Sequence, residues 1–441
     1  MPHAGSRPNV LYDEPHLGAE ARLPDEALAL IQRTDTCYLA TSYAPVPEDA
    51  DGTAPRVGVN HRGGRPGFVR VRRDARTLVL PNYAGNRVLN SLGNIHVTPA
   101  ASLVFPDFDR GAVLHVTGAA RTLYDDDARR LMPESDVLTT ITVTGFSFVT
   151  DALPLRHADA HYSAYSPPVR FLAEEAAEGA KPEPEATVTL VAADALTPTL
   201  THYTFRAPHN LSDWRPAGTV VLDLRAAFGH LAGHDDCVRT WTVSHPPAPD
   251  TPDEFGLTLR TKAGGVLTPL LAAAVRRDVP MSGLEVRAAL RGVKSSVPLP
   301  APGRHLWIAG GIGATPFMAL SRYIAATPGP WDIVLLLSTA EPTVLPQLFA
   351  DALAGATDIK LVLHIFTHES FAPEELILPA FIDVQVHGGR IPKDGKVFAE
   401  VDATERHVHI CGPLPFVNNA MAGLENAGVD LEKVYRERFT Y

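Results

Sequence analysis

The sequence predicts a multidomain fold: two successive antiparallel β-barrel regions, then an α/β domain with a parallel sheet. Three observations carry this. The chain has 441 residues, and at about 150 residues per domain that length suggests about three domains. Short β-type runs separated by Gly, Pro, Asn and Asp fill residues 37–117 and again 187–261, as small barrels do. From residue 304 onward, short apolar runs alternate with helical stretches, the mark of a helix-covered parallel sheet. The boundaries that follow are 1–172 for the first barrel, 173–186 for a linker, 187–300 for the second barrel and 301–441 for the α/β domain.

Each element has a local reason. Pro24 and Asp25 suit a helix start, and Leu28, Leu30 and Ile31 follow. Residues 37–42, 67–71, 77–80, 101–105 and 113–117 read as strands. The segment EEAAEGAKPEPEA, 174–186, is acidic and proline-bearing, which suits a linker. Strands resume over 187–191, 201–205, 219–224, 238–244 and 257–261. In the last domain the strands are 306–309, 333–337, 360–365 and 408–411, with a helix from Phe416.

Composition narrows the function. The chain is 45% apolar and 20% charged, with a formal net charge of −11. That acidic balance argues against binding nucleic acid through its phosphates. Three cysteines, Cys37, Cys237 and Cys411, exclude a disulfide scaffold, an all-cysteine zinc site and an iron–sulfur cluster ligated within the chain. The first residues lack an apolar signal core, and no run approaches the ~20 apolar residues of a membrane span. A cytoplasmic protein without membrane contact is expected.

The strongest local motif is Gly310-Gly311-Ile312-Gly313-Ala314-Thr315-Pro316, between a strand and a helix. Glycines there let the backbone approach a pyrophosphate, and the helix N-terminus offers free N–H groups. Pro316 stands where a third glycine of GxGxxG would be. Cys411-Gly412-Pro413 closes a later strand, and Glu437-Arg438-Phe439 lies near the chain end. Upstream are Arg239-Thr240-Trp241-Thr242 and Gly264-Gly265-Val266-Leu267-Thr268.

In this order, these motifs resemble the ferredoxin–NADP reductase superfamily. The resemblance implies an FAD-binding barrel and a nicotinamide-nucleotide domain. It implies that Arg239 pairs with flavin phosphate, Trp241 packs on the ring and Thr242 hydrogen-bonds its N5. Residues 264–268 would hold the diphosphate, and 310–316 the nicotinamide nucleotide. Cys411 and Glu437 would sit beside the nicotinamide and flavin, with Phe439 stacked near the ring. Trp241 departs from the usual Tyr of this motif, and Ser295-Ser296 from a usual Gly and aromatic. Glu341, with no basic residue adjacent in sequence, favours NADH over NADPH, because an acidic side chain suits free ribose hydroxyls.

The first region has its own cluster: a basic, glycine-rich stretch 61–71, then Tyr83-Ala84-Gly85-Asn86-Arg87, then Ser91-Leu92-Gly93-Asn94. It resembles the pyridoxamine 5′-phosphate oxidase-like split barrel that binds FMN. Arg62 and Arg87 would then approach phosphate, since a guanidinium fork matches two oxygens, with Asn86 and Asn94 as polar contacts. Such barrels usually pair as homodimers. His157/His161 and His230/His234 have i, i+4 spacing, but no third ligand accompanies them, and no metal is expected.

The expected function is an NAD(P)H-dependent flavin oxidoreductase. Hydride passes to FAD, and electrons then pass to a small-molecule acceptor or a redox partner protein. The sequence leaves two arrangements open. In one, FMN in the split barrel relays the electrons. In the other, the chain is a reductase component for a partner oxygenase or cytochrome, and the split barrel is a dimerisation or substrate-binding module.

Overall fold

The computed structural model describes residues 7–44, 54–83, 88–157, 163, 166–180, 186–208, 215–229, 231–232, 237–276, 286–294 and 299–437. The chain divides into two compact units, 1–184 and 185–441.

Unit 1 runs β1 (Asn9–Glu14), α1 (Asp25–Arg33), β2 (Thr36–Tyr43), β3 (Arg56–Gly63), β4 (Arg70–Val71), β5 (Thr77–Pro81), α2 (Asn90–Val97), β6 (Ala100–Asp107), β7 (Ala112–Tyr124), α3 (Asp125–Leu131), β8 (Val137–Thr150) and α4 (Ala173–Ala177). Its eight strands form one antiparallel sheet, ordered β3-β2-β6-β7-β8-β5-β4, with β1 also paired to β8. Helix α1 buries Ala27, Leu30 and Ile31, spaced i, i+3, i+4, against Leu39, Leu103 and Phe105. Asp25 and Glu26 stand at its start and Arg33 at its end, each matching the helix dipole.

In unit 1, β1, β3 and β8 escape the sequence reading. β3 (RVGVNHRG) is an edge strand with no fully buried face, so its hydrophobic alternation is weak. β8 is central, and its β-branched, threonine-rich alternation is a readable signal that the strand assignment above omits. β4 shrinks to two residues because Gly67 turns at φ +78°. The segment expected as linker begins as helix α4. Its Glu175 pairs with Arg70 and accepts from the Leu172 amide at 2.8 Å, and Glu174 accepts from the Arg73 amide at 2.9 Å.

Unit 2 continues with β9 (Ala186–Ala195), β10 (Leu200–Arg206), β11 (Thr219–Asp223), α5 (Arg225–Phe228), β12 (Val238–Thr242), β13 (Glu254–Arg260), α6 (Leu267–Arg276) and β14 (Arg287–Lys294). These six strands form an antiparallel sheet ordered β12-β11-β14-β9-β10-β13 around Val188, Tyr203, Phe205, Val220, Phe255 and Leu257.

Then follow β15 (Gly303–Gly310), α7 (Thr315–Ala325), β16 (Trp331–Ser338), α8 (Val344–Ala352), β17 (Ile359–Thr367), β18 (Ile382–Gly388), α9 (Lys396–Glu400), β19 (His407–Cys411), α10 (Leu414–Asn426) and β20 (Tyr435–Arg436). The sheet is parallel throughout, ordered β18-β17-β16-β15-β19-β20. Both of its faces are buried. Trp307, Leu335 and Leu337 pack with Phe317 of α7 and Phe349 of α8, while Leu306, Ile308 and Leu336 pack with Phe398 of α9 and Leu424 of α10. Burial on both faces is why β15 and β16 read as near-continuous apolar runs. Among the described helices, none is long and apolar enough to cross a membrane.

Candidate active site

The site forms at the carboxyl ends of the parallel strands, where open α/β sheets bind ligands. β15 ends in Gly310, level with Ser338 of β16, and Ala309 lies level with Cys411 of β19. The glycine loop and the Cys411-Gly412-Pro413 loop therefore emerge side by side.

Each loop glycine has a local cause. Gly311 adopts φ +53°, which disfavours other residues. A Cβ on Gly313 would stand 2.5 Å from the Cys411 carbonyl oxygen. A Cβ on Gly310 or Gly412 would meet the Phe416 ring at 2.7 or 2.6 Å. The two loops interlock under that ring. Ala314, Thr315 and Pro316 are buried, and the Thr315 hydroxyl donates to the Ile312 carbonyl at 3.1 Å. These three shape the entry to α7, where Pro suits the first turn. Pro413 is the N-cap of α10, its carbonyl accepting from the Val417 amide at 3.0 Å, and Pro415 takes the first turn.

Cys411, Glu437 and Thr242 come together. The Glu437 amide donates to the Ile410 carbonyl at 3.1 Å, which sets its side chain beside Cys411. Thr242 Oγ1 donates to Glu437 Oε1 at 3.3 Å, and the Cys411 thiol lies beside the same carboxyl. Among the described residues, Glu437 Oε2 is buried with no partner. Burial pushes the Glu437 carboxyl up to about 7, against the opposing hydrogen bonds from Cys411 and Thr242. Burial, with the Glu437 charge beside it, raises the Cys411 thiol well above its usual value, so Cys411 stays a protonated thiol. Phe439, expected near the ring, lies outside the described residues.

The antiparallel sheet of unit 2 contributes β12, which contains Arg239, Thr240, Trp241 and Thr242 and sits at the sheet edge against β11. Trp241 packs on the core of that sheet, and Thr242 is buried toward Glu437. Arg239 Nη1 donates to the Val238 carbonyl at 2.8 Å. In the 264–268 loop, Gly264 turns at φ +74°. The Lys262 amide donates to Thr268 Oγ1 at 3.1 Å, Val266 is half-buried and Leu267 is buried at the start of α6. The loop thus ends at a ten-residue helix, as a diphosphate cradle does.

Glu341 has a partner that the sequence reading lacked. Arg260, at the end of β13, holds both its oxygens, and the carboxylate is 12% exposed.

In unit 1, Arg62 faces Cys37 across the β2–β3 pair. Burial lowers the Arg62 pKa and pushes the Cys37 thiol up to about 12. Asn94 Nδ2 donates to Thr41 Oγ1 at 3.0 Å, and Asn94 lines a cavity of about 410 Å³ with Tyr43, Arg56, Asn60 and Asn90. Arg56 and Asn60 were missed because β3 was not read as a strand. Asn86 and Arg87 lie outside the described residues, as do His161, His230, His234, Ser295 and Ser296. Among the described residues, no group of three or more His, Cys, Asp or Glu is placed to hold a metal.

The half-buried imidazole of His409, the Phe416 ring and Arg260 are further site neighbours that the sequence reading did not name. Only the strand position of His409, two residues before Cys411, signals it in advance.

No protein-family model matches the chain. It is 24% identical over 249 residues to the stachydrine N-demethylase reductase subunit Stc4 of Rhizobium meliloti, covering 55% of this chain and 63% of that protein. It is 23% identical over 243 residues to the glycine betaine monooxygenase reductase subunit of Pseudomonas aeruginosa, covering 51% and 56%. The chain thus spans less than two thirds of the length of either curated relative. A solved structure titled as ferredoxin reductase in carbazole 1,9a-dioxygenase aligns at TM-score 0.44 and 16% identity, over 91% of this chain and 99% of that one. Residues 185–441 carry an antiparallel sheet followed by a parallel sheet, and both curated relatives are named as reductase subunits.

Proposed function

We propose that this chain is an NAD(P)H-dependent flavoprotein reductase that feeds electrons to a partner oxygenase. The observation that carries the reading is the meeting of Thr242, Cys411 and Glu437 beside the interlocked glycine loops. The site residues suit FAD: a buried carboxyl oxygen on Glu437 has no partner among the described residues and stands ready for a donor, and the 264–268 loop presents a helix start. FAD, when bound, accepts an electron pair as hydride and releases electrons singly.

The chain's own residues do the rest. Arg239 and residues 264–268 hold phosphate, and Thr242 orients the reacting edge. The glycine loops admit the nucleotide backbone and exclude water. Cys411, held as a neutral thiol, packs beside the nicotinamide position without charge. NADH is the favoured donor: Arg260 is matched by Glu341, so it offers no spare charge to a 2′-phosphate. Both curated relatives are named as reductase subunits, which favours the partner-oxygenase arrangement over a self-contained enzyme.

FMN in unit 1, with a split-barrel homodimer around it, is the second reading. Arg62 supports it: the guanidinium is partly buried, and among the described residues no carboxylate pairs with it. Such a group suits an anion.

The test is to release bound flavin with acid, count FAD and FMN per chain, and follow NADH and NADPH oxidation with ferricyanide as acceptor. One FAD per chain and NADH-dependent ferricyanide reduction are expected. A reconstituted chain that binds no FAD and oxidises neither nucleotide overturns the reading. FMN in addition to FAD establishes the second.

A further inference from the structure

The loops that end β15 and β19 touch through their backbones. A Cβ on Gly412 would stand 3.2 Å from the Gly310 Cα, and one on Gly313 would stand 2.8 Å from the Gly412 Cα. Ala309 and Cys411 are the last paired residues of the two strands. Beyond them, no hydrogen bond among the described residues joins 311–316 to 412–416. Glycine supplies no side chain to make one. What spans the pair is the Phe416 ring: its Cδ1 would lie 2.7 Å from a Cβ on Gly310 and 2.6 Å from one on Gly412. One edge of one ring therefore rests on both loops. The ring is anchored from behind. Phe416 stands in the first turn of α10 and packs on the core that contains Ile308, Ile410 and Leu424. One turn further on, Asn419 Nδ2 donates to the Ile391 carbonyl at 2.8 Å, which fixes the rotation of the helix.

We propose that Phe416 is a positioning residue for the nicotinamide nucleotide: its ring is the spacer that sets the distance between the 310–316 loop and the loop of Cys411. The inference rests on the reductase reading, in which the first loop takes the pyrophosphate and the second lies beside the nicotinamide. A dinucleotide engages both at once, so the distance between the loops must match the distance between its two halves. Neither loop holds that distance by itself. Glycine backbone has more conformational freedom than that of any other residue, and Gly310, Gly311, Gly313 and Gly412 make up much of the two loops. A rigid ring in close-packed contact with both fixes the gap, whereas an empty space there would forfeit the contacts that hold them in register. Phe416 acts through the loops rather than on the reacting atoms.

The deciding experiment compares the wild-type chain with Phe416→Ala in two measurements. The first is peptide-resolved amide hydrogen exchange of the nucleotide-free full chain. Exchange is expected to rise about tenfold both in peptides covering 310–314 and in peptides covering 411–414, while β16 and β17 stay within about twofold. A rise in one loop alone, in neither loop, or equally throughout the parallel sheet overturns the proposal. The second measurement uses the FAD-loaded chain. ADP-ribose carries the pyrophosphate but no nicotinamide, and its affinity is expected to stay within about twofold. The rate of flavin reduction at saturating NADH is expected to fall about tenfold, because misplacing a reactant by about 1 Å costs up to ~100-fold. Parallel losses of ADP-ribose affinity and reduction rate, or a reduction rate within about twofold of wild type, assign Phe416 a packing role and overturn the proposal. If Phe416→Ala does not fold, Phe416→Leu takes its place in both measurements. Failure of the wild-type chain to reduce FAD with NADH sinks the reductase reading, whereas the exchange of the two loops is decided without any nucleotide.

Discussion

Arg260 Nη1 meets Glu341 Oε1 at 2.5 Å, and Arg260 Nη2 meets Glu341 Oε2 at 2.6 Å. This two-pronged pair ties the last residue of β13 to the turn after β16 and consumes the charge of both partners. Glu341→Gln frees the guanidinium at the proposed ribose end of the site. The ratio of kcat/KM for NADPH over NADH is expected to rise about tenfold, equivalent to about 1.4 kcal/mol. Arg260→Ala strands a largely buried carboxylate and is expected to cost about 2–3 kcal/mol, toward the low end for a broken buried pair because Arg260 is 32% exposed. Paired nucleotide kinetics and urea unfolding check the two. An unchanged nucleotide ratio in Glu341→Gln removes the pair from specificity.

The Phe416 ring and Gly412 compete for one space. Gly412→Ala places a methyl 2.6 Å from the ring and is expected to cost about 1–3 kcal/mol as overpacking. Phe416→Ala opens that space, so the double variant should lose less than the sum of the singles, by about 1–2 kcal/mol. Gly93 supplies the control. It lies inside α2 with nothing within 4 Å of a built Cβ, and Gly93→Ala is expected to stabilise by about 0.5–1 kcal/mol. Additive losses at 412 and 416 would refute the interlock.

The three cysteines are buried, and burial raises the thiols of Cys37 and Cys411. A thiolate is the reactive species, so the native chain should react with no equivalent of a disulfide reagent at pH 8. Three equivalents are expected in guanidinium. Rapid native modification of one thiol, mapped to Cys411, would show that its loop opens.

Acid should destabilise the fold through buried histidines. Burial lowers His202, His364 and His409 to about 4 and lowers His245 further. His202 and His245 lie with ring centroids 4.0 Å apart, within a network through Ser244 and Thr258. These groups stay neutral in the native state but take protons near pH 6.5 when unfolded. The unfolded state therefore binds more protons between about 6.5 and 4, and stability falls as pH drops through that window. Glu437, raised to about 7, works in the opposite direction: it favours the native state below its folded value and loses that contribution as pH rises from 4.5 to 7. Four groups against one predicts a lower Tm at pH 5 than at pH 7.5. A Tm that rises on acidification would show that these imidazoles are solvated.

The chemistry-bearing loops were legible because their cause is local. Gly311 needs a positive φ, Pro316 suits a first helical turn, and a strand that packs on both faces shows as an apolar run. The alternation of β8 was equally present, while the exposed edge strand β3 left too weak a pattern to read. The sequence by itself therefore determined the order of the β regions and the α/β domain, and the positions of the loops that carry the proposed chemistry. Only the tertiary structure decided which side chains meet. Thr242 reaches Glu437 across 195 residues, and Arg260 reaches Glu341 across 81. Pairings at such separation leave no periodicity in the chain. They arise when strands from two sheets end at one place and burial removes the water that would otherwise hold those groups apart.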